Sequence, residues 1–263
     1  MINVGVTGAS GRMGRLIIDN ILRFDDLKLT SAFDLMNVGK DVGEVAQIGS
    51  LGVAISDVED MESVLKESKT QVLIDFTIAD ATAVNAPKAA SAGVSLVIGT
   101  TGLSPEQKKT IEDSIASNNV AGIISPNYSV GVNVFFKILA EASKYLGDMD
   151  IEIIEAHHMH KKDAPSGTAL GAAKIISEAL GGKEFVYGRE GVAPRGKEIG
   201  IHAVRGGDIV GDHTVLFAGD GERIEIKHQA HSRQAFAGGA VKAAAWIGKA
   251  EPGLYTMQDI LGL

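Results

Sequence analysis

Three glycines, Gly8, Gly11 and Gly14, stand between an apolar run over residues 2–6 and an amphipathic run over residues 12–22. No other feature of the chain narrows its possible folds so far. A strand that turns sharply into a helix needs Gly8 for the tight turn. Gly11 lets backbone N–H groups approach a pyrophosphate, and Gly14 lets the helix lie close to the sheet. The helix N-terminus favours negative charge there, and Arg12 adds a cation. Asp34 closes the second apolar run, twenty positions past Gly14, where an acid would accept hydrogen bonds from the ribose hydroxyls of NAD. Isolated glycines only make turns, but here strand, helix and acid are in register. Gly8, Ala9, Ser10, Gly11, Arg12, Met13 and Asp34 are therefore the expected cofactor cradle. Leu35 and Met36 offer no charge to a 2′-phosphate, although Lys40 is within reach, so NADH is favoured over NADPH.

Up to about residue 130, short apolar runs alternate with amphipathic ones, the rhythm of strand and crossover helix in a parallel sheet. Strands are expected at residues 2–7, 28–33, 72–76, 94–98 and 121–124, with helices at 12–22, 58–67, 81–92, 105–117 and 132–145. Ser104, Pro105 and Gln107 supply a cap, a first-turn proline and an N3 acceptor for the fourth helix. The fold class is α/β, with an N-terminal Rossmann-like doubly wound parallel sheet. After Gly147 the rhythm changes. Residues 150–155 alternate like a half-buried strand, a helix follows over 168–180, and three alternating runs at 199–205, 213–218 and 223–231 are separated by glycine turns. This half reads as a second α+β domain with an open mixed sheet. The expected division is 1–130 for dinucleotide binding and 131–239 for substrate binding and oligomerisation. Crossings would fall near 127–131 and 236–239, and the tail 240–263 would pack back on the first domain.

The second motif is Glu155-Ala-His-His-Met-His-Lys-Lys-Asp-Ala-Pro-Ser-Gly-Thr168. His157, His158 and His160 can move protons near neutral pH, and Lys161 and Lys162 can neutralise anions. Ser166, Gly167 and Thr168 open the next helix, where hydroxyls and N–H groups can grip a carboxylate. Metal ligation is disfavoured because adjacent His157 and His158 point to opposite sides of a continuing strand and two lysines would repel a cation. A solvated polar loop is the bland alternative. Asp163 suits an orienting or capping role better than that of a base, since Pro165 follows so closely. Arg205 and Arg233 are further carboxylate anchors, against the usual fate of single arginines as surface ion pairs. Gly99, Thr100 and Thr101 after residues 94–98, and Ser125, Pro126, Asn127 and Tyr128 after residues 121–124, fall at the carboxyl edge of the sheet. There their hydroxyls and amides would meet ribose or carboxamide, ordinary turn chemistry being the competing reading.

Bulk properties narrow the partners. The 263 residues are 45% hydrophobic, ample for two packed cores, and cysteine is absent, which removes disulfides and thiolate metal sites and suits a reducing cytoplasm. A net charge of -8 disfavours nucleic acid, and the apolar runs are too short and too interrupted to span a bilayer. Hydride transfer explains both motifs in one chain. Reducing a C=C or C=N bond needs hydride at one atom and a proton at another, so a nicotinamide must face an acid in a dry cleft.

Gly-x-x-Gly-Arg-Met-Gly at 8–14, Asp75-Phe-Thr77, Gly99-Thr-Thr-Gly102, Asn127-Tyr-Ser-Val-Gly-Val-Asn133 and the histidine motif together resemble the 4-hydroxy-tetrahydrodipicolinate (dihydrodipicolinate) reductase family. The similarity runs in order along essentially the whole chain. It implies a cytoplasmic, homotetrameric enzyme of lysine and diaminopimelate biosynthesis that uses NADH or NADPH, and no metal, to reduce a small cyclic imine dicarboxylate. It also implies that His157 is a proton donor or acceptor, Lys161 the proton donor, and His158, Gly167 and Thr168 the carboxylate ligands. The family's ribose acid is often Glu followed by Arg, whereas here Asp34 precedes Leu35, which argues against a strong NADPH preference. Two rivals are a dehydrogenase of another small amino-acid-derived substrate such as aspartate or a semialdehyde, and a nucleotide sensor without chemistry.

Overall fold

The computed structural model describes residues 1–263, which divide into two compact units. The first comprises Met1–Ser129 and Gln234–Gly262, the second Val130–Arg233. In the first unit, strands β1 (Ile2–Thr7), β2 (Leu27–Phe33), β3 (Ile55–Ser56), β4 (Val72–Asp75), β5 (Ser95–Ile98), β6 (Ala121–Ile124) and β12 (Gly253–Tyr255) form one parallel sheet in the order β12-β6-β5-β4-β1-β2-β3. Its helices are α1 (Arg12–Ile21), α2 (Val42–Ala46), α3 (Met61–Glu67), α4 (Ala79–Ser91), α5 (Pro105–Ser117), α8 (Gln234–Ile247) and α9 (Met257–Leu261).

A doubly wound sheet must bury both faces, and β4 shows how. Val72 and Ile74 join a core with Ile17, Ile18 and Ile21 of α1 and Ala237, Ala240 and Ala244 of α8, while Leu73 points into an opposite core with Leu65 of α3, Ala86 and Ala89 of α4, and Ile111 and Ile115 of α5. The central strands therefore read as unbroken apolar runs. The predicted start of α5 forms as a capping box between Ser104 and Gln107, with Pro105 in the first turn.

The second unit holds α6 (Val130–Leu146), β7 (Asp150–His157), α7 (Gly167–Ala179), β8 (Phe185–Tyr187), β9 (Ile199–Arg205), β10 (Gly211–Gly219) and β11 (Glu222–Ala230). Its sheet runs β11-β10-β7-β9-β8 and is mixed: β10 is antiparallel to β7 and β11, while β9 is parallel to β7 and β8. Ile151, Ile153, Ile199, Ile201, Val215 and Phe217 bury one face with Leu139 of α6 and Ala172 and Ile176 of α7. Ile154 and Val204 on the other face remain exposed within this unit.

Five short elements, α2, β3, β8, β12 and α9, are not anticipated by periodicity, which needs more residues than they contain. Helix α2 depends on Asp41, whose carboxylate accepts from the N–H groups of Gly43, Glu44, Leu51 and Gly52 and so joins distant turns. Strand β7 runs two residues beyond the expected end, carrying His157 into the sheet. Helix α8 lies wholly in the first unit, so the second crossing is at Arg233–Gln234, ahead of the expected 236–239. The reason is that Ala237 and Ala240 are already buried in the first core.

Gly14 decides how closely α1 approaches β1. A Cβ there would lie 2.1 Å from the Gly8 carbonyl oxygen and 2.8 Å from Ala9 Cα, both backbone atoms that cannot swing aside. Gly14→Ala is expected to lower unfolding stability in urea by on the order of 1–3 kcal/mol. An unchanged midpoint would show that the turn yields freely.

Candidate functional site

At the carboxyl edge of the first unit's sheet, Gly8 takes φ 77° and the chain turns directly into α1, whose N-cap is Gly11. The cap has no side-chain partner, so the first-turn N–H groups are left for a ligand. Asp34 fixes the neighbouring loop. One carboxylate oxygen accepts from Ser10 N at 2.9 Å and the other from Met36 N at 2.9 Å, while Ser10 Oγ donates to Met36 O. The Asn37 amide donates to Ser10 Oγ, and Lys40 Nζ donates to Asn37 Oδ1 at 3.1 Å. Arg15, Asn37, Lys40, Glu44, Val45 and Gln47 line an adjoining hollow of about 300 Å³. Arg12 is exposed at the helix start and Met13 half-buried behind it.

A buried network lies below the next loops. Asp75, at the end of β4 and 1% exposed, accepts through Oδ1 from Thr77 N, Thr77 Oγ1, Thr82 Oγ1 and Thr100 Oγ1 at 2.7–3.0 Å. Burial pushes its carboxyl up despite these hydrogen bonds. Thr100 Oγ1 also accepts from Thr77 N. Thr101 is exposed beside it. After β6, Ser125 Oγ donates to Asn127 O, and Asn127 Oδ1 accepts from Ser129 N, while Pro126 is exposed. Tyr128 is 1% exposed and its hydroxyl donates to Ile98 O at 2.8 Å.

In the second unit, Glu155 on β7 is fully buried. Its Oε2 meets His157 Nδ1 at 2.6 Å, its Oε1 accepts from Ser166 N at 2.9 Å, and Arg205 on β9 donates to both oxygens at 2.8 and 2.9 Å. Burial alone would raise the carboxyl's pKa, but Arg205, His157 and the Ser166 N–H together hold it below the usual glutamate range. An ionised Glu155 can only accept, so His157 donates its Nδ1 proton, leaving Nε2 for chemistry. A Cβ at Gly211 would fall 3.0 Å from that Nε2, so the glycine gives the ring edge its room. His213 of β10 meets His157 edge-on with ring centroids 5.1 Å apart, and its Nε2 pairs with Ser166 Oγ at 3.0 Å.

The remainder of the loop is more open. Lys161 Nζ pairs with Asp163 at 2.9 Å, the lysine side chain 21% exposed and the aspartate 62%. Partial burial, with Arg233 and the neighbouring His160, His157 and Lys161, pushes His158 below its ordinary pKa, favouring the neutral ring. Gly167 at the start of α7 has nothing within 4 Å of where a Cβ would stand. No group of three or more histidine, aspartate or glutamate side chains is arranged to hold a metal ion.

Models of dihydrodipicolinate reductase match the chain twice, the N-terminal part over residues 2–128 and the C-terminal part over residues 131–261. The chain belongs to the dihydrodipicolinate reductase family. The 4-hydroxy-tetrahydrodipicolinate reductase of Methanococcoides burtonii is 74% identical over 262 residues, covering 100% of both chains. That of Methanosarcina acetivorans is 68% identical over 263 residues, again with 100% coverage of each. Among solved structures, the dipicolinate-bound dihydrodipicolinate reductase from Paenisporosarcina sp. TG-14 superposes with TM-score 0.79 at 27% identity, covering 97% of each chain.

Within this reductase fold several sequence expectations need correction. The Ser166 hydroxyl caps α7 by accepting from Ala169 N and pairs with His213, and its N–H goes to Glu155, so none of its groups faces outward. Thr100 turns its hydroxyl inward to Asp75, and the Tyr128 side chain is core. Those two residues can reach a ligand only through backbone. Arg205 is no free carboxylate anchor, because Glu155 and Asp163 O occupy it. Asp163 pairs with Lys161 and does not cap the helix; Ser166 does. The sequence left Glu155 and His213 without roles. Glu155 alternates in phase with buried Ile151 and Ile153, so an acid on the apolar face of a strand was the available signal.

Burial, reinforced by His157 and His228 and opposed by Glu155 and Asp212, depresses His213 from its ordinary 6.5 to about 4. The unfolded chain therefore takes up this proton first as pH falls, and native stability is lost between about 6.5 and about 4. The displacement is worth up to about 3 kcal/mol. Urea titrations at several pH values should show that decline in the wild type and a shallower one in His213→Asn. Equal slopes would mean that His213 takes up its proton alike in the native and unfolded chain.

Proposed function

We propose that this chain reduces 4-hydroxy-tetrahydrodipicolinate to tetrahydrodipicolinate with a reduced pyridine nucleotide, as a cytoplasmic enzyme of lysine and diaminopimelate biosynthesis. The observation that carries the reading is the pairing of His157 and Lys161 on one loop, with Glu155 fixing the ring and the start of α7 beside it. That loop supplies a proton and carboxylate-binding groups. The residues of the nucleotide motif are all in the first unit.

Gly8, Ala9, Ser10, Gly11, Arg12 and Met13 would hold the pyrophosphate, and Asp34 the adenosine ribose. The backbone of Gly99, Thr100 and Thr101 and of Ser125, Pro126, Asn127 and Tyr128 would line the other half of the cofactor. The bound nicotinamide supplies hydride. Asp34 favours NADH, and Arg15 and Lys40 around the adjoining hollow support use of NADPH as well.

The substrate is a dianion, so His158, Thr168 and the Gly167 N–H would hold its carboxylates at the helix start, with exposed Arg233 adding positive charge. Loss of the 4-hydroxyl as water leaves a conjugated ring. Adding one hydride and one proton to that ring completes the reduction. Lys161 Nζ donates that proton to the carbon that gains charge, and Asp163 holds the ammonium in place beforehand. His157, with Nδ1 tied to Glu155, exchanges protons through Nε2. The exposed Ile154 and Val204 on the open sheet face of the second unit support assembly through that face, as a homotetramer.

Reduced-nucleotide oxidation should depend on substrate made in situ from pyruvate and aspartate semialdehyde by the preceding synthase. Lys161→Ala should lower kcat by about a hundredfold or more while leaving NADH binding intact. Turnover near wild type would remove Lys161 from the proton step. Lys40→Ala should shift the ratio of kcat/KM values towards NADH, and an unmoved ratio would exclude Lys40 from 2′-phosphate recognition.

A further inference from the structure

Asp75 is a buried carboxylate that neither the proton chemistry nor the carboxylate-binding loop uses. Its position is specific. It ends β4, its backbone O accepts from Gly99 N at 2.9 Å, and its Oδ1 gathers donors from the segment after β4, from α4 and from the segment after β5. Thr82 Oγ1 also lies within hydrogen-bond distance of Thr100 Oγ1, at 2.8 Å, so three threonines and one carboxylate oxygen form a single knot. Oδ2 is buried without a partner, as is Oγ1 of Thr7, the residue aligned with Asp75 on β1.

The sheet order assigns this knot to one half of the cofactor. Asp34, at the end of β2, and the glycine turn after β1 serve the adenosine half. Strands β4, β5 and β6 lie on the other side of β1, and the second mononucleotide half of such a sheet binds at their carboxyl ends. Thr77 and Thr100 both turn their hydroxyls to Asp75, Thr100 from a buried position and Thr77 from a half-buried one. Bonded hydroxyls and a pinned Thr77 N–H fix the backbone course of both loops before any ligand arrives.

We propose that Asp75 is a positioning residue for the nicotinamide half of the cofactor, acting through Thr77 and Thr100 to preset the backbone of the loops after β4 and β5. This rests on the cofactor reading given above. Without Asp75, three hydroxyls, those of Thr82 and Thr100 buried, lose their common acceptor and the loops lose their fixed course. The adenosine half, organised by Asp34, is untouched.

Binding of NADH and of ADP-ribose, which lacks nicotinamide, measured by calorimetry on the full-length protein separates the two halves. Asp75→Ala should raise the Kd for NADH about tenfold or more and leave that for ADP-ribose within about twofold of wild type. Asp75→Asn keeps the Oδ1 acceptor and should restore most of the lost affinity. Equal weakening of both ligands would reveal a general structural defect and overturn the proposal, as would unchanged NADH binding in a folded Asp75→Ala protein. Thr100→Val, nearly isosteric, covers the case in which the alanine protein does not fold. It should weaken NADH about threefold with ADP-ribose unaffected, and wild-type NADH affinity would overturn the role. Wild-type protein that bound neither ligand would overturn the cofactor reading itself, an outcome distinct from any variant effect.

Discussion

The histidine and lysine loop after β7 depends on one carboxylate. Glu155 has no contact with solvent, yet it holds His157 through one oxygen and the Ser166 N–H through the other, so the first and last parts of the loop share a single buried anchor. Arg205 neutralises the charge with a two-pronged contact and then reaches Asp163 O, adding a third point of attachment. Removing a partner from such a buried pair leaves an uncompensated charge, which is far costlier than losing a surface bridge. The lysine and histidines can stay open to a ligand because their backbone is fixed from beneath.

The first unit uses the same device with different chemistry. Asp75 also lies at the end of a strand and also gathers the loops that follow, but threonine hydroxyls and an N–H group replace the guanidinium. Asp34 and Asp41 tie further loops through backbone N–H groups, the first joining the turn after β1 to the segment after β2 and the second building α2. Carboxylates at strand ends and turns are economical loop organisers, since one group accepts several hydrogen bonds.

Much of this was legible in the residue order. The glycine motif was readable because each glycine answers a local geometric demand, and the collision that a Cβ at Gly14 would meet shows that demand for the close approach of α1 to β1. The long strands and helices were legible because apolar periodicity extends over enough residues to define a face. Residues 55–56, 185–187 and 253–255 are too short for that; their strands exist because a neighbouring edge accepts them, as β6 accepts β12. The inward turn of the Ser166, Thr100 and Tyr128 side chains was hidden for a related reason. Hydroxyls are equally plausible as ligand contacts or internal caps until their neighbours are known.

Residue order alone specifies the two-part α/β plan, the nucleotide turn and the family, since these rest on local spacing and on motifs that occur in order along the chain. Which polar groups stay available is settled by long-range packing. Glu155, Arg205 and Ser166 are consumed in one buried cluster, Asp75 and Thr100 in another, while His157 Nε2 and the start of α7 remain for chemistry. That division depends on hydrogen bonds between residues far apart in sequence, where burial makes an unmet partner too costly to leave, and no local pattern records it.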